Sequence, residues 1–367
     1  MSDFNASAAV EGGGSTPAVA APPALHAPLD KSVNYRLVCA HEEMNPRRRN
    51  TMEDVHRIVG SLPGAPDYSY FGVYDGHGGR QIVDYLEEGL EMNISTELQQ
   101  PDDASILDRM SRAFLITDMH SRRLNITTSG ATAVVALLKT TFADKPAAPP
   151  VQGLVETETE TQTETQTEGE GGGEETQTTD SGRGGGGNGG AAAAAAAPVV
   201  LAKTLYVANV GDSRAVLAMS DPTSASGYRA LRLSYDHRAE DEGEQRRIKD
   251  AGGFITRGRV LGILAVSRSF GDHGMKDFVT AQPYVTETDL LTCSPDGSAD
   301  CPILILACDG VWDVLSDQEA IDLILTLYKQ QDGQGGGSLS DKAAKLLVDT
   351  AIEKGSADNV TAIVVYL

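Results

Sequence analysis

The chain has 367 residues, 40% of them hydrophobic but only 5% aromatic, and a formal charge of −22. That length is enough for one large domain or two small ones, and the Val, Ile, Leu and Ala content is enough for a sizeable core. The acidity argues against a general nucleic-acid binder and against an anionic membrane surface as partner.

In chain order, residues 1–31 are rich in Ala, Pro and Gly and read as a disordered tail. They lack a basic stretch followed by an apolar core, so no signal peptide is expected, and Ser2 excludes N-myristoylation. YRLVCAHEE (35–43) alternates like a strand, and RRRNTMEDVH (47–56) follows with Arg49, Glu53 and Asp54. YFGVYDGHGG (70–79) is an apolar strand that ends in Asp75, Gly76 and His77. QIVDYLEEGLEMNISTEL (81–98) carries Ile82, Tyr85, Leu86 and Leu90 on one helical stripe. The segment 104–124 does the same with Leu107, Met110, Phe114 and Leu115.

TAVVALLKTTF (132–142) and KTLYVANVGDSRAVLAM (203–219) are strand signals on either side of a low-complexity segment, 144–200. The simplest reading is one β-hairpin with an inflated connection, which loop-closure entropy tolerates because its cost grows only logarithmically with length. The chain therefore reads as one domain, 32–367, interrupted at 144–200. RALRLS (229–234) is a further strand, and DHRAEDEGEQRRIKDAGG (236–253) reads as a helix ended by Gly252-Gly253. RVLGILAVSRSFGDHGMK (259–276) reads as a strand, a basic turn and Asp272.

LILACDGVWDVL (304–315) is a buried strand whose first polar residue is Asp309, with Asp313 four residues on. Asp313 reads as a helix N-cap or as a carboxylate standing behind a ligand. Ser316 with Glu319 forms a capping box ahead of AIDLILTLY, Ser340 suits the N-cap of the next helix, and Gly355 suits its C′ position. Asp358-Asn359 opens the last strand, VTAIVVYL. Of the four cysteines, Cys39 and Cys308 lie in apolar runs where an inert thiol belongs, Cys293 and Cys301 lie elsewhere, and no Cys/His metal spacing occurs. No apolar run is long enough to span a membrane, and the thiols point to a reducing compartment, cytoplasmic or nuclear.

Aspartates at the ends of apolar strands need something to offset their repulsion, because a buried unpaired charge costs several kcal/mol. Hard divalent cations with oxygen ligands are the usual answer. Each motif alone has an ordinary turn as its alternative. Their order does not: Arg-x-x-x-Glu-Asp, Asp-Gly-His-Gly-Gly, Ser-Gly-Ala-Thr, Val-Gly-Asp-Ser-Arg, Asp-His, Val-Ser-Arg with Gly-Asp, Cys-Asp-Gly-x-Trp-Asp and Asp-Asn-x-Thr. The series closely resembles the metal-dependent type-2C serine/threonine protein phosphatases, over residues 34–143 and 202–367. TMEDVH and RLSYDH look most like the compact fungal members linked to stress-kinase signalling.

The resemblance implies an α+β fold, a β-sandwich of two antiparallel sheets flanked by helix pairs. It implies two Mg²⁺ or Mn²⁺ ions, with Asp75 bridging them, Glu53 serving one, and Asp309, Asp358 and the Gly76 carbonyl serving the other. Asp212 with Asp309 would hold a weaker third. It assigns Arg49 to the substrate phosphate and His77 to the leaving-group proton. Asp54, Thr132, Asp313 and Asn359 would stand behind these. The implied activity is hydrolysis of phosphoserine and phosphothreonine in proteins by a two-metal-activated water, without a phosphoenzyme. It would counter a kinase cascade such as stress MAP kinase signalling, by a monomer with phosphoproteins as partners. A cysteine phosphatase would need Arg where Val314 stands after Cys308, and an aspartyl-phosphate enzyme would need an absent Asp-x-Asp-x-Thr. The alternative is a non-catalytic scaffold of the same fold that binds a kinase; it should have lost a metal carboxylate or Arg49, and all are present.

Overall fold

The computed structural model describes residues 35–142, 200–290, 303–332 and 342–367. The expected disordered tail, the insertion as far as residue 199, the Ser340 cap, Cys293 and Cys301 lie outside the described residues. In chain order the elements are β1 (Leu37–Glu43), β2 (Val55–Val59), β3 (Tyr68–His77), α1 (Gln81–Leu98), α2 (Ile106–Ser121), β4 (Gly130–Phe142), β5 (Val200–Val210), β6 (Arg214–Ser220), β7 (Tyr228–Arg232), α3 (Glu242–Asp250), β8 (Ile255–Thr256), β9 (Arg259–Val260), β10 (Phe270–Gly271), β11 (Tyr284–Asp289), β12 (Ile303–Ala307), α4 (Asp309–Trp312), α5 (Asp317–Asp332), α6 (Ala343–Glu353) and β13 (Val360–Tyr366).

Two antiparallel sheets stack face to face. One has the order β1-β13-β12-β6-β7; the other runs β11-β5-β4-β3-β2, with β10 against β4. The period of two along each strand decides which side chains meet where. On β3, Phe71 and Val73 face the other sheet while Tyr70 and Tyr74 face the helices. On β13, Ile363 and Val365 turn inward while Val364 and Tyr366 turn outward. Three apolar layers result: α1 and α2 on one outer face, the sheet-to-sheet interior, and α5 and α6 on the other outer face. Tyr70, Phe71, Tyr74 and Tyr366 are all fully buried, and Phe71 alone is worth roughly 1.5–3 kcal/mol of transfer free energy.

The caps explain several boundaries. Ser105 Oγ accepts from the Asp108 amide at the start of α2, and Asp241 does the same for Glu244 at α3. Ser316 and Glu319 form the expected capping box, and Gly355 takes its place after α6 with φ 97°. Four expectations are corrected. The run 203–219 is two strands, β5 and β6, because the chain turns at Gly211–Ser213 and passes from one sheet to the other. The run 259–276 is mostly irregular, since Leu261, Gly262 and Gly271 all have positive φ and interrupt any ladder. Leu115 is 42% exposed, because α2 packs on one side only and Met110 and Phe114 fill that side. Asp313 is not an N-cap; it follows α4 as its C-cap residue.

The strands on the two flanks of the insertion pair with each other from Ala133 opposite Val210 to Phe142 opposite Val200. The insertion thus leaves from, and returns to, the β4–β5 ladder.

Candidate metal centre

Register brings the acidic residues together. β3 ends where β4 begins, with Asp75 opposite Thr132 and His77 opposite Gly130. β5 ends at the same level, with Val210 opposite Ala133. In the other sheet β12 ends with Ala307 opposite Arg214 of β6 and Ala362 of β13. The residues just beyond those ends are Asp212, Asp309 and Asp358. The segment leading into β2 arrives there too, since Val55 pairs with Tyr74.

A cavity of about 230 Å³ opens at this end of the sandwich. It is lined by Arg49, Asp75, Gly76, His77, Thr132, Asp212, Asp309 and Asp358, together with Arg259, Leu264, Ala265 and Val266. Eight of the twelve residues singled out from the sequence therefore share one cavity. The other four lie beside or behind it. Asp54 is 2% exposed, and its carboxylate, that of Asp75 and the Cys308 thiol each have one atom within 4.8 Å of the others. Glu53 does not line the cavity, but its backbone carbonyl abuts Gly76 so closely that a Cβ there would stand 2.5 Å from it. Asn359 is a clamp: its Oδ1 accepts from the Glu53 amide at 2.8 Å, and its Nδ2 donates to the carbonyls of Met44 and Thr51. Asp313 accepts from Arg238 Nη2 at 2.8 Å.

Gly310 permits the closest approach. A Cβ at that position would lie 2.1 Å from the Asn359 carbonyl, so only glycine lets the Asp309 turn and the Asp358 turn touch. Thr132 Oγ1 bonds Ser213 Oγ at 2.7 Å and ties the Asp212 turn to β4.

Two residues that sequence reading did not single out, Asn45 and Arg238, hold parts of the site in place. Asn45, with a left-handed backbone (φ 57°), donates from Nδ2 to the carbonyls of Ser356 and Asp358 at 2.9 and 3.1 Å and so anchors the turn that carries Arg49. Arg49 Nη2 in turn ion-pairs with Asp358 Oδ2. Arg238 stands 3.6 Å from Asp212 Oδ2 while it bonds Asp313. An Asp-His-Arg string in a polar stretch gives no periodic signal, and an asparagine after Glu-Met reads as an ordinary turn residue.

The electrostatics describe an acidic cluster that arginine compensates only at its rim, by Arg49 at Asp358 and Arg238 at Asp212. Burial first, and then the charge of Asp309, push the Asp75 carboxyl well above its usual range. Burial and the neighbouring Asp212 and Asp358 do the same to Asp309. Burial pushes Asp54 up to about 7 and Asp212 up to about 6. Asp309 Oδ1 and Asp54 Oδ2 are buried with no hydrogen-bond partner. The orphaned Asp309 oxygen in this acid-rich cavity fits a hard divalent cation, which would supply the missing positive charge and take oxygen ligands. The Cys308 thiol is also pushed up by burial, and then by Asp54 and Asp75, so it stays protonated and inert.

The protein phosphatase 2C family model matches residues 40–142 and 174–360. Protein phosphatase 2C homolog 1 of Saccharomyces cerevisiae is 31% identical over 335 residues, 91% of this chain and 94% of that protein. The protein of the same name in Schizosaccharomyces pombe is 29% identical over 327 residues, 89% of this chain and 72% of that protein. Among solved structures, a phosphatase from Toxoplasma gondii superposes with a TM-score of 0.60 at 21% identity, over 90% of this chain and 92% of that one.

Proposed function

Because the chain belongs to the protein phosphatase 2C family and is thereby a metal-dependent protein phosphatase, we propose that it hydrolyses phosphoserine and phosphothreonine in proteins at the cavity described above. We read residues 32–367 as one catalytic domain interrupted by the insertion. Among its substrates we place phosphoproteins of a kinase cascade such as the stress MAP kinase module, reached as a monomer in cytoplasm and nucleus. Among the described residues no helix is long and apolar enough to cross a membrane.

One observation carries the reading. Asp75, Asp309, Asp358 and Asp212 converge on one cavity with Arg49 and His77, and a buried Asp309 oxygen there has no partner. In this reading Asp75, Asp309, Asp358, Glu53 and the Gly76 carbonyl hold two Mg²⁺ or Mn²⁺ ions, and Asp212 with Asp309 holds a weaker third. When bound, the ions supply Lewis acidity and an activated water. Arg49, whose planar fork suits a phosphate, lines the cavity beside Asp358 and would orient the phosphoryl oxygens. Thr132 and Asn359 keep the acidic turns in place. His77 protonates the departing seryl or threonyl oxygen, a strong base that leaves poorly as an alkoxide.

The test is phosphate release from a phosphoseryl peptide and from p-nitrophenyl phosphate with Mg²⁺ or Mn²⁺, in the presence of okadaic acid. Activity that needs the metal and ignores the inhibitor is expected. Silence at millimolar Mn²⁺ favours the kinase-binding scaffold instead, and a preference for ATP over the peptide favours a nucleotide hydrolase. A pull-down with Asp309→Asn identifies the natural substrate.

A further inference from the structure

His77 does not stand free in the cavity. Its Nε2 lies 3.0 and 2.9 Å from the two carboxylate oxygens of Asp272, a residue 195 positions away. Asp272 is 6% exposed and takes a left-handed backbone (φ 45°) at the turn that follows β10. It is fixed on several sides. The Ser269 hydroxyl donates to Asp272 Oδ2, and the Asp272 amide donates to the Ser129 carbonyl at 3.1 Å. The Gly271 amide donates to Asp118 Oδ1 at 2.9 Å, and Lys276 Nζ bridges Asp118 and the Ser269 carbonyl. Helix α2 therefore braces the turn that presents Asp272.

The strand register shows that room is kept for the pair. Gly130 lies opposite both His77 on β3 and Gly271 on β10. A Cβ at Gly130 would fall 2.2 Å from Asp272 Oδ2 and 2.4 Å from His77 Nε2. The backbone of Gly130 has no positive φ, so alanine could adopt it. What an added methyl meets first is the hydrogen bond between these two side chains.

We infer that Asp272 is the positioning residue for His77, holding Nε2 so that Nδ1 is the nitrogen that gives its proton to the seryl or threonyl oxygen. The inference rests on the reading of His77 as leaving-group acid. In that step the bond from phosphorus to the ester oxygen breaks as the bond from the attacking water oxygen forms. The proton on Nδ1 moves to the departing oxygen. The ring is left neutral, with its remaining proton on Nε2 and donated to Asp272. A carboxylate at Nε2 keeps the proton there, so in the neutral ring Nδ1 is the nitrogen left to pick up the next proton. A histidine held by a buried carboxylate also loses less orientational freedom on reaching the transition state.

The test separates orientation from folding through the leaving group. Nitrophenolate departs readily without a proton, whereas a seryl alkoxide does not. Asn suits the left-handed conformation at 272, so Asp272→Asn in the full chain with saturating Mn²⁺ should keep its fold. It should lose kcat on a phosphoseryl peptide on the order of 10²-fold, with KM little changed and p-nitrophenyl phosphate turnover within about threefold. Gly130→Ala should reproduce the pattern, and adding Asp272→Asn to His77→Ala should cost nothing further. Equal losses on both substrates make Asp272 structural and overturn the inference. So does a silent Asp272→Asn beside a leaving-group-selective His77→Ala, which leaves the reading of His77 intact. If His77→Ala itself shows no selectivity, the reading of His77 falls and the inference with it.

Discussion

Glu244 and Asp309 are both carboxylates carried into the protein, and the fold treats them in opposite ways. Burial alone would raise Glu244. Hydrogen bonds from Arg268 and Arg247, at 2.7–3.2 Å, reverse this and hold it at about 2. Asp236 and Asp317 share the same arrangement with Arg214 and Arg232, and Asp317 is likewise held below its usual range against the pull of burial. Asp309 ion-pairs with no Lys or Arg among the described residues, and one of its oxygens has no partner. Where the fold needs a buried carboxylate for structure, it supplies arginine. At the strand ends it withholds arginine from the centre of the cluster and confines Arg49 and Arg238, both nearly half-exposed, to its rim. The unmet demand for positive charge is the signature of the site.

The sharpest way to break that contrast is Asp309→Asn. Turnover should fall at least about 10³-fold, because a cation site that neutralises transition-state charge contributes several kcal/mol. The metal-free protein should not lose stability, since the change removes a repulsion and not a pair. Near-normal phosphate release, or a collapsed fold by circular dichroism in EDTA, would show that Asp309 belongs with Glu244 after all.

The same contrast sets a pH dependence. Asp54 and Asp212 titrate near 7 and 6 in the folded state, against about 3.9 unfolded. Asp75 and Asp309 are raised as well. Between about pH 4 and pH 7 the folded state thus holds protons that the unfolded chain has released, so these groups lower stability as pH rises. His237, which burial lowers to about 4, works the other way, and so do His41 and His273, which burial also lowers; three histidines oppose four carboxylates, of which Asp75 and Asp309 are raised well above their usual range. Denaturant midpoints in EDTA should therefore fall across this window, and millimolar Mg²⁺ should flatten the fall. Midpoints that rise with pH in EDTA would mean that the carboxylates are not crowded.

How much of this could be read in advance depended on the range of each interaction. Asp75, Asp309 and Asp358 were legible because each stands at one end of an apolar run, and the layered α+β sandwich was implied by the resemblance that these motifs carry. The capping box at Ser316 and the glycine at 355 were legible because their logic is local. Leu115 was not: periodicity puts it on the stripe, and only the packing of α2 tells which side of the stripe is covered. Val-Gly-Asp-Ser-Arg offered a turn, but the change of sheet at Gly211 was hidden, because KTLYVANV and RAVLAM both read as strand and which sheet each joins is a tertiary fact. The bond from His77 to Asp272, Asn45 reaching to Ser356 and Arg238 reaching to Asp212 join distant segments, and no local pattern records them.

On the paired side of the comparison, Glu244→Gln should cost stability while leaving chemistry alone. The change leaves Arg247 and Arg268 facing a neutral amide. Removing one partner of a buried ion pair costs 3–5 kcal/mol, and partial exposure of the two arginines, 31% and 21%, brings the expectation to about 2 kcal/mol. Urea midpoints check this, with kcat per folded molecule on p-nitrophenyl phosphate as the control. A loss of kcat without a loss of stability would reverse the roles assigned to the two kinds of carboxylate.

The smallest effect should come from a third set of carboxylates, those of the insertion. Segment 151–200 carries nine acidic residues and one basic, −8 of the formal −22. If the demand for cations reflected overall charge, deleting 148–198 would weaken Mg²⁺ binding several-fold. If it reflects the four aspartates at the strand ends, the half-saturating Mg²⁺ should stay within about twofold, because charges more than ~8–10 Å away are screened at ordinary salt. The deletion also cuts the β4–β5 connection to roughly a tenth of its length, which loop-closure entropy values at no more than about 2 kcal/mol in favour of folding. Activity on a short phosphopeptide should be unchanged. Loss of the folded state would break the reading of one interrupted domain, since β4 and β5 would then need the insertion to find the register that sets Thr132 opposite Asp75 and brings Asp212 to the same end of the sheet.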